Sequence, residues 1–258
     1  KLFFIIFLIG STAWAVPQRI VSGMPSITEM LFALGLGDRV VGVTTNCNHP
    51  PEALKKPKIG GFFLNLEKVV SLKPDMVLML EDAQKRDLEK FKNFGLPVHT
   101  LNPHNVSEVM DCLLKLGEAT GAKGKAEELV EDMKDRIAAV QPKENGIGFV
   151  LKRPRVLAIV GHEPLIVAGG GTFIDDILKQ AGVENVAAGS RAAYPQFSFE
   201  KLLKDDPEYI IIPRGTVKAD ELLKSGRWRS LAAVKNNRVL FINADILSRP
   251  GPRVVEAI

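Results

Sequence analysis

The sequence predicts an α/β fold of two similar lobes, each with a central parallel sheet flanked by helices, joined by one long bridging α-helix. Three observations predict it. Short β-branched apolar runs alternate with helical patterns, as in parallel strands linked by crossover helices. The two halves of the chain repeat one plan at a fixed offset. Between them runs an amphipathic stripe with a charged outer face, which is the pattern of a helix and not of a Gly/Ser linker.

The elements follow in order. Lys1 precedes eight unbroken apolar residues, 2–9, and then Ala13-Trp14-Ala15. A basic start, a short apolar core and a small-x-small end describe a cleavable secretory signal peptide over residues 1–15, with export to the periplasm. The apolar run is shorter than the roughly 20 residues that span a bilayer. No Cys follows it, which argues against a lipid anchor.

The first lobe is expected over residues 16–104. Residues 19–21 read as a strand entry. Ser26-Ile27-Thr28-Glu29 reads as a capping box, with Ser26 as N-cap and Glu29 reaching back. Met30, Leu31 and Leu34 supply the helix's apolar face and Gly35 its end. Residues 40–43 form the next strand. Asn65 caps a short helix that Pro74 stops. Residues 76–80 suit a buried parallel strand, 83–94 a helix, and 97–101 another strand. Residues 105–141 connect the lobes. Ala126, Leu129, Val130, Met133, Ile137 and Val140 recur at three- and four-residue steps, so a helix over 123–141 forms the bridge.

The second lobe, 142–258, repeats the plan. Residues 155–160 form a strand, Thr172 with Asp175 opens a helix, and Ser198 caps another that Pro207 stops. Residues 209–212 and 238–242 are strands, with a short helix at 228–234. Glu67 to Pro74 and Glu200 to Pro207 both span seven residues, and the copies sit 133 residues apart.

Composition excludes some functions. The chain is 46% apolar and 25% charged, which is globular. The net charge of +4 is small, and its densest basic cluster, Lys152, Arg153 and Arg155, reads as a solvated loop and not a nucleic-acid patch. Cys47 and Cys112 allow one disulfide in an oxidising compartment, and the sequence leaves their pairing open because it does not place the two Cα atoms. No nucleophile elbow, HExxH or P-loop lysine is present. Gly169-Gly170-Gly171-Thr172 resembles a phosphate cradle only loosely. His49, Glu163 and Asp245 are the residues an exported acid–base or metal enzyme would use.

Several segments, in order, resemble the helical-backbone class of periplasmic binding proteins, which serve ABC importers of vitamin B12, ferric siderophores and haem. They include Pro25-Ser26-Ile27-Thr28-Glu29, Leu34-Gly35-Leu36-Gly37-Asp38-Arg39-Val40-Val41-Gly42-Val43, Pro50-Pro51-Glu52-Ala53 and Gly60-Gly61-Phe62. Asn65-Leu66-Glu67, Gly170-Gly171-Thr172-Phe173-Ile174-Asp175, Pro195-Gln196, Ser198-Phe199-Glu200 and Trp228-Arg229-Ser230-Leu231 continue the set. The cobalamin-binding type is the most similar variant.

The resemblance implies a monomeric, non-enzymatic, cofactor-free protein that captures a corrinoid between its lobes and docks on a dimeric membrane permease. A ferric siderophore or haem is the alternative ligand. It places Phe62, His49, Tyr194, Asp245, Arg249 and, more weakly, Ile166 around the ligand. His49 stands where relatives often carry Tyr and could meet a ligand metal. Asp245 would accept from corrin amides, with Arg249 neutralising it or meeting an anionic ligand. Siderophores would draw on Arg191, Arg214 or Arg249. Glu67 and Glu200 match the surface acids, one per lobe, that meet arginines of the transporter. Each falls in the first turn of a capped helix, where the dipole favours a carboxylate.

Overall fold

The computed structural model describes residues 16–141, 152–215 and 225–258. The predicted signal peptide lies outside the described residues. Among the described residues no helix is long and apolar enough to cross a membrane.

The first lobe holds strands β1 (Ile20–Ser22), β2 (Val40–Val43), β3 (Met76–Leu80) and β4 (Val98–Leu101) in the order β2-β1-β3-β4, all parallel. Helices α1 (Pro25–Ala33), α2 (Leu66–Ser71) and α3 (Lys85–Asn93) make the crossovers. The second lobe holds β5 (Arg155–Gly161), β6 (Ile166–Val167), β7 (Glu184–Asn185), β8 (Tyr209–Arg214) and β9 (Val239–Asn243). Its order is β6-β5-β8-β9, with β7 also paired to β5. Helices α6 (Phe173–Gln180) and α7 (Phe199–Asp205) flank it. Ile166, expected in a loop, lies in β6, the one antiparallel strand of that sheet. Leu165 to Val167 is too short a run for periodicity to reveal.

Helices α4 (Val106–Thr120) and α5 (Lys123–Val140) stand between the sheets. At about 1.5 Å per residue, α5 is about 27 Å long. Its start lies beside the first lobe, where Arg39 Nη1 donates to the Thr120 carbonyl (2.9 Å). Just past its end, the Gln141 amide donates to the Gln180 carbonyl of α6. The antiparallel α4 also reaches the second lobe, its Val106 N–H bonding the Asp176 carboxylate at 2.8 Å. The connection is therefore a helical hairpin. Gly117 permits it: a Cβ there would lie 2.4 Å from the Ala126 Cβ.

One buried cluster runs through both lobes and the hairpin. It includes Ile20, Ile27 and Leu31, then Leu113, Val130 and Met133, then Val156, Ile174 and Val254. Separate apolar clusters cover the outer face of each sheet. The shared cluster welds the lobes, since opening them would expose apolar surface at roughly 25 cal/mol per Å².

The predicted caps hold at three helices. Asn65, Thr172 and Ser198 accept from the backbone N–H three residues on. The capping box at Ser26 and Glu29 does not form. Pro25 takes the first helical turn, so the N-cap moves to Met24, which gives no side-chain cap. Ser26 is buried, and the Glu29 carboxylate turns instead to Arg249 and Arg253, more than 200 positions along the chain. Both cysteines are free and buried: Cys47 lies 3.1 Å from the Thr28 and Thr44 hydroxyls, and Cys112 sits in α4. Burial pushes the Cys112 thiol up.

Candidate functional site

In a doubly wound sheet, ligands sit beyond the carboxyl ends of the strands, where the strand order reverses. In the first lobe the reversal falls around β1, between β2 and β3. A cleft of about 620 Å³ opens there. Met24 and Pro25 follow β1, Thr44, Thr45, Asn46 and Asn48 follow β2, and Leu80 ends β3; all line it. The opposite wall is Asp245, Ser248, Arg249 and Pro250, from the short helix Ala244–Ser248 after β9 and the loop beyond it. Both lobes thus contribute, at matching ends of their sheets.

Phe62 lines the cleft from the loop after Gly60 and Gly61. The loop needs Gly60, which has φ +128°, and a Cβ there would lie 2.5 Å from the Phe63 carbonyl. The Phe62 ring is 52% exposed and packs edge-on against Phe63 at 5.3 Å. It is an apolar face presented to whatever enters.

The charges of the opposite wall are already matched. Arg249 Nη2 lies 2.7 Å from Asp245 Oδ1. Its Nη1 donates to Glu29 Oε1 (2.9 Å) and Asn48 Oδ1 (2.7 Å), and Nη2 donates to the Asn46 carbonyl (3.3 Å). Asn48 Nδ2 donates to Asp245 Oδ2 (2.9 Å). Glu29 also receives a fork from Arg253, Nε to Oε2 and Nη2 to Oε1, both 2.8 Å. The hydrogen bonds to Glu29 hold the Arg253 guanidinium above its ordinary range against a smaller effect of burial. These bonds join residues more than 190 positions apart in the chain.

The structure brings Phe62, Asp245 and Arg249 together in one cleft. His49 lines a different recess of about 470 Å³, with Phe32, Leu129 and Arg253. Ile166 bridges Gln196, and Tyr194 lies on the adjoining segment that bonds through the Ala193 and Pro195 carbonyls; neither lines the cleft. Glu67 and Glu200 are exposed in the first turns of α2 and α7. Backbone and Ser198 hydrogen bonds hold the Glu200 carboxyl below its ordinary range. Sequence reasoning missed Glu29, Asn46 and Asn48. Glu29 carries a signal, being an acid among the apolar residues of α1, but its spacing from Ser26 also fits a capping box, which masks it.

The enzyme constellation does not assemble. His49, Asp245 and Glu163 line three separate recesses. The Gly169–Gly171 run is no cradle either: a Cβ on Gly170 would lie 2.1 Å from the Ala188 carbonyl, so these glycines permit loop packing. Among the described residues no group of three His, Cys, Asp or Glu could hold a metal ion.

Comparison with known proteins gives a consistent picture. Residues 20–246 match the family described as periplasmic binding protein. The chain is 37% identical over 246 residues to an ABC transporter substrate-binding lipoprotein of Bacillus subtilis, covering 94% of this chain and 78% of that one. It is 30% identical over 253 residues to a vitamin B12-binding protein of Pectobacterium atrosepticum, covering 97% and 89%. The structure superposes on a periplasmic heme-binding protein of Roseiflexus with a TM-score of 0.79 and 28% identity, covering 93% and 94%.

Proposed function

The chain belongs to the periplasmic binding protein family, and from that premise we propose that it captures a corrinoid between its lobes and delivers it to a membrane permease. It is an ABC transporter substrate-binding protein of the B12, heme and siderophore type, not an enzyme, and it works outside the cytoplasm. The choice among ligands rests on one observation: the cleft joins an exposed aromatic face to a wall whose charges cancel.

That chemistry suits a large, mostly uncharged macrocycle. Phe62 offers its face to the ring, and the Asp245 carboxylate keeps lone pairs for amide side groups while Arg249 offsets its charge. Haem fits less well, because none of the four His and two Tyr of the chain lines the cleft to give an axial ligand. An anionic ferric siderophore fits less well, because the terminal nitrogens of Arg249 are engaged.

Docking follows from Glu67 and Glu200. Each stands at the same place in its lobe, exposed, on a capped helix, as a two-fold partner carrying arginines requires. Calorimetry with cyanocobalamin, hemin and a ferric triscatecholate tests the ligand. Stoichiometric binding of cyanocobalamin supports the reading. Binding of only hemin or the catecholate refutes it.

A further inference from the structure

We infer that Glu29 and Arg253, neither of them a ligand contact, are positioning residues that hold Arg249 and set the charge selectivity of the cleft in favour of neutral ligands. The inference deepens the reading above and rests on the cleft being the ligand site.

The Glu29 side chain is 2% exposed, and those of Arg249 and Arg253 are 14% and 17% exposed. A buried carboxylate must be paired and hydrogen-bonded. Glu29 is served from two sides. Arg253 grips both oxygens in a fork, and Arg249 shares Oε1. The fork fixes the plane of the carboxylate and hence the place where Arg249 must lie. Arg249 then spends its second terminal nitrogen on Asp245 and the Asn46 carbonyl.

Charge arithmetic gives the consequence. Two guanidiniums and two carboxylates sum to zero, and Asp245 and Arg249 are the only charged residues lining the cleft among those described. Remove Glu29's charge and the cluster becomes +1. Remove Arg253's and it becomes −1. The pair lies behind the cleft wall, toward the recess that holds His49, so it would act on a ligand only through Arg249 and the local field.

The test compares two ferric chelates of opposite character. Three hydroxamates neutralise Fe³⁺, whereas three catecholates leave the complex at −3. Affinity for each, with cyanocobalamin as a second neutral ligand, is measured by calorimetry on the wild-type chain, Glu29→Gln, Arg253→Gln and the double variant. Taking the ratio of two affinities on one preparation removes any change in folded fraction. Glu29→Gln is expected to shift the catecholate-to-neutral ratio up by about tenfold, and Arg253→Gln to shift it down by a similar factor. The double variant, again neutral, is expected to return toward the wild-type ratio although the clasp is gone. A merely structural clasp would leave the ratio unmoved in the single variants, or move it furthest in the double; either result overturns the inference. If Glu29→Gln fails to fold, the Arg253→Gln and double variants still decide. Failure of wild-type chain to bind cyanocobalamin would sink the corrinoid reading alone, since the ratio can still be read from the two ferric chelates.

Discussion

Truncating Phe62 to Ala tests whether the exposed aromatic face carries ligand affinity. A buried Phe contributes about 150–250 Å², and this residue is 52% exposed, so a ligand lying on it would cover about 100 Å² more. At about 25 cal/mol per Å² that is about 2–3 kcal/mol, or a loss of about 30- to 150-fold in affinity. Because half the ring is already packed against its neighbours, the ligand-dependent part is what the assay reads. Calorimetric titration of cyanocobalamin into Phe62→Ala and into Phe63→Ala makes the comparison. Phe63 is also exposed but does not line the cleft, so its loss should cost far less. Equal affinity for wild-type and Phe62→Ala chains would mean that the ligand does not lie on that face.

Other consequences follow from the same geometry. Charge-assisted hydrogen bonds contribute roughly 1.5–3 kcal/mol each, so Glu67→Ala with Glu200→Ala should abolish uptake in a reconstituted transporter while leaving the ligand dissociation constant unchanged; normal uptake would remove the docking role. His49→Ala should leave cyanocobalamin affinity within about twofold, since His49 lines the other recess; a loss of tenfold would return it to the ligand site. Burial raises the Asp175 carboxyl, but Lys179, Asn185 and the Gly171 N–H outweigh it and leave the pKa lowered. A depressed folded pKa contributes stability above the unfolded value and loses it as pH falls through the folded one. Asp175→Asn should therefore destabilise at pH 7 in urea melts, with the gap narrowing below about pH 4; a gap independent of pH would contradict this.

Much of the fold is legible in the sequence because its signals are local. Strands 40–43 and 76–80 are short apolar runs with clear punctuation, and they occur at those positions. Asn65, Thr172 and Ser198 cap as read, because a cap depends on a few adjacent residues. Ser26 fails for a non-local reason. Arg249 and Arg253, more than 200 positions away, offer Glu29 charged partners worth more than a backbone N–H. The short strands β6 and β7 fail because two residues carry no periodicity.

The site is legible only in part. Phe62, Asp245 and Arg249 converge: Phe62 follows a glycine turn, Asp245 lies in the first turn of the short helix after β9, and Arg249 caps that helix's end. His49 turns away because the chain after Cys47 passes over the end of α1 toward α5, where Phe32 and Leu129 form the recess. The asparagines that lock Arg249 were invisible because nothing in a loop of polar residues reveals which of them crosses to the other lobe.

A corrinoid captured by this chain is expected in the cleft, against Phe62 and Asp245. The most direct measurement is a crystal structure of the chain grown with cyanocobalamin. One corrin is expected between the lobes, its ring on Phe62 and an amide side group donating to Asp245, with Glu29, Arg249 and Arg253 still joined. A cleft that stays empty at saturating cyanocobalamin, or a corrin bound elsewhere on the surface, would contradict it.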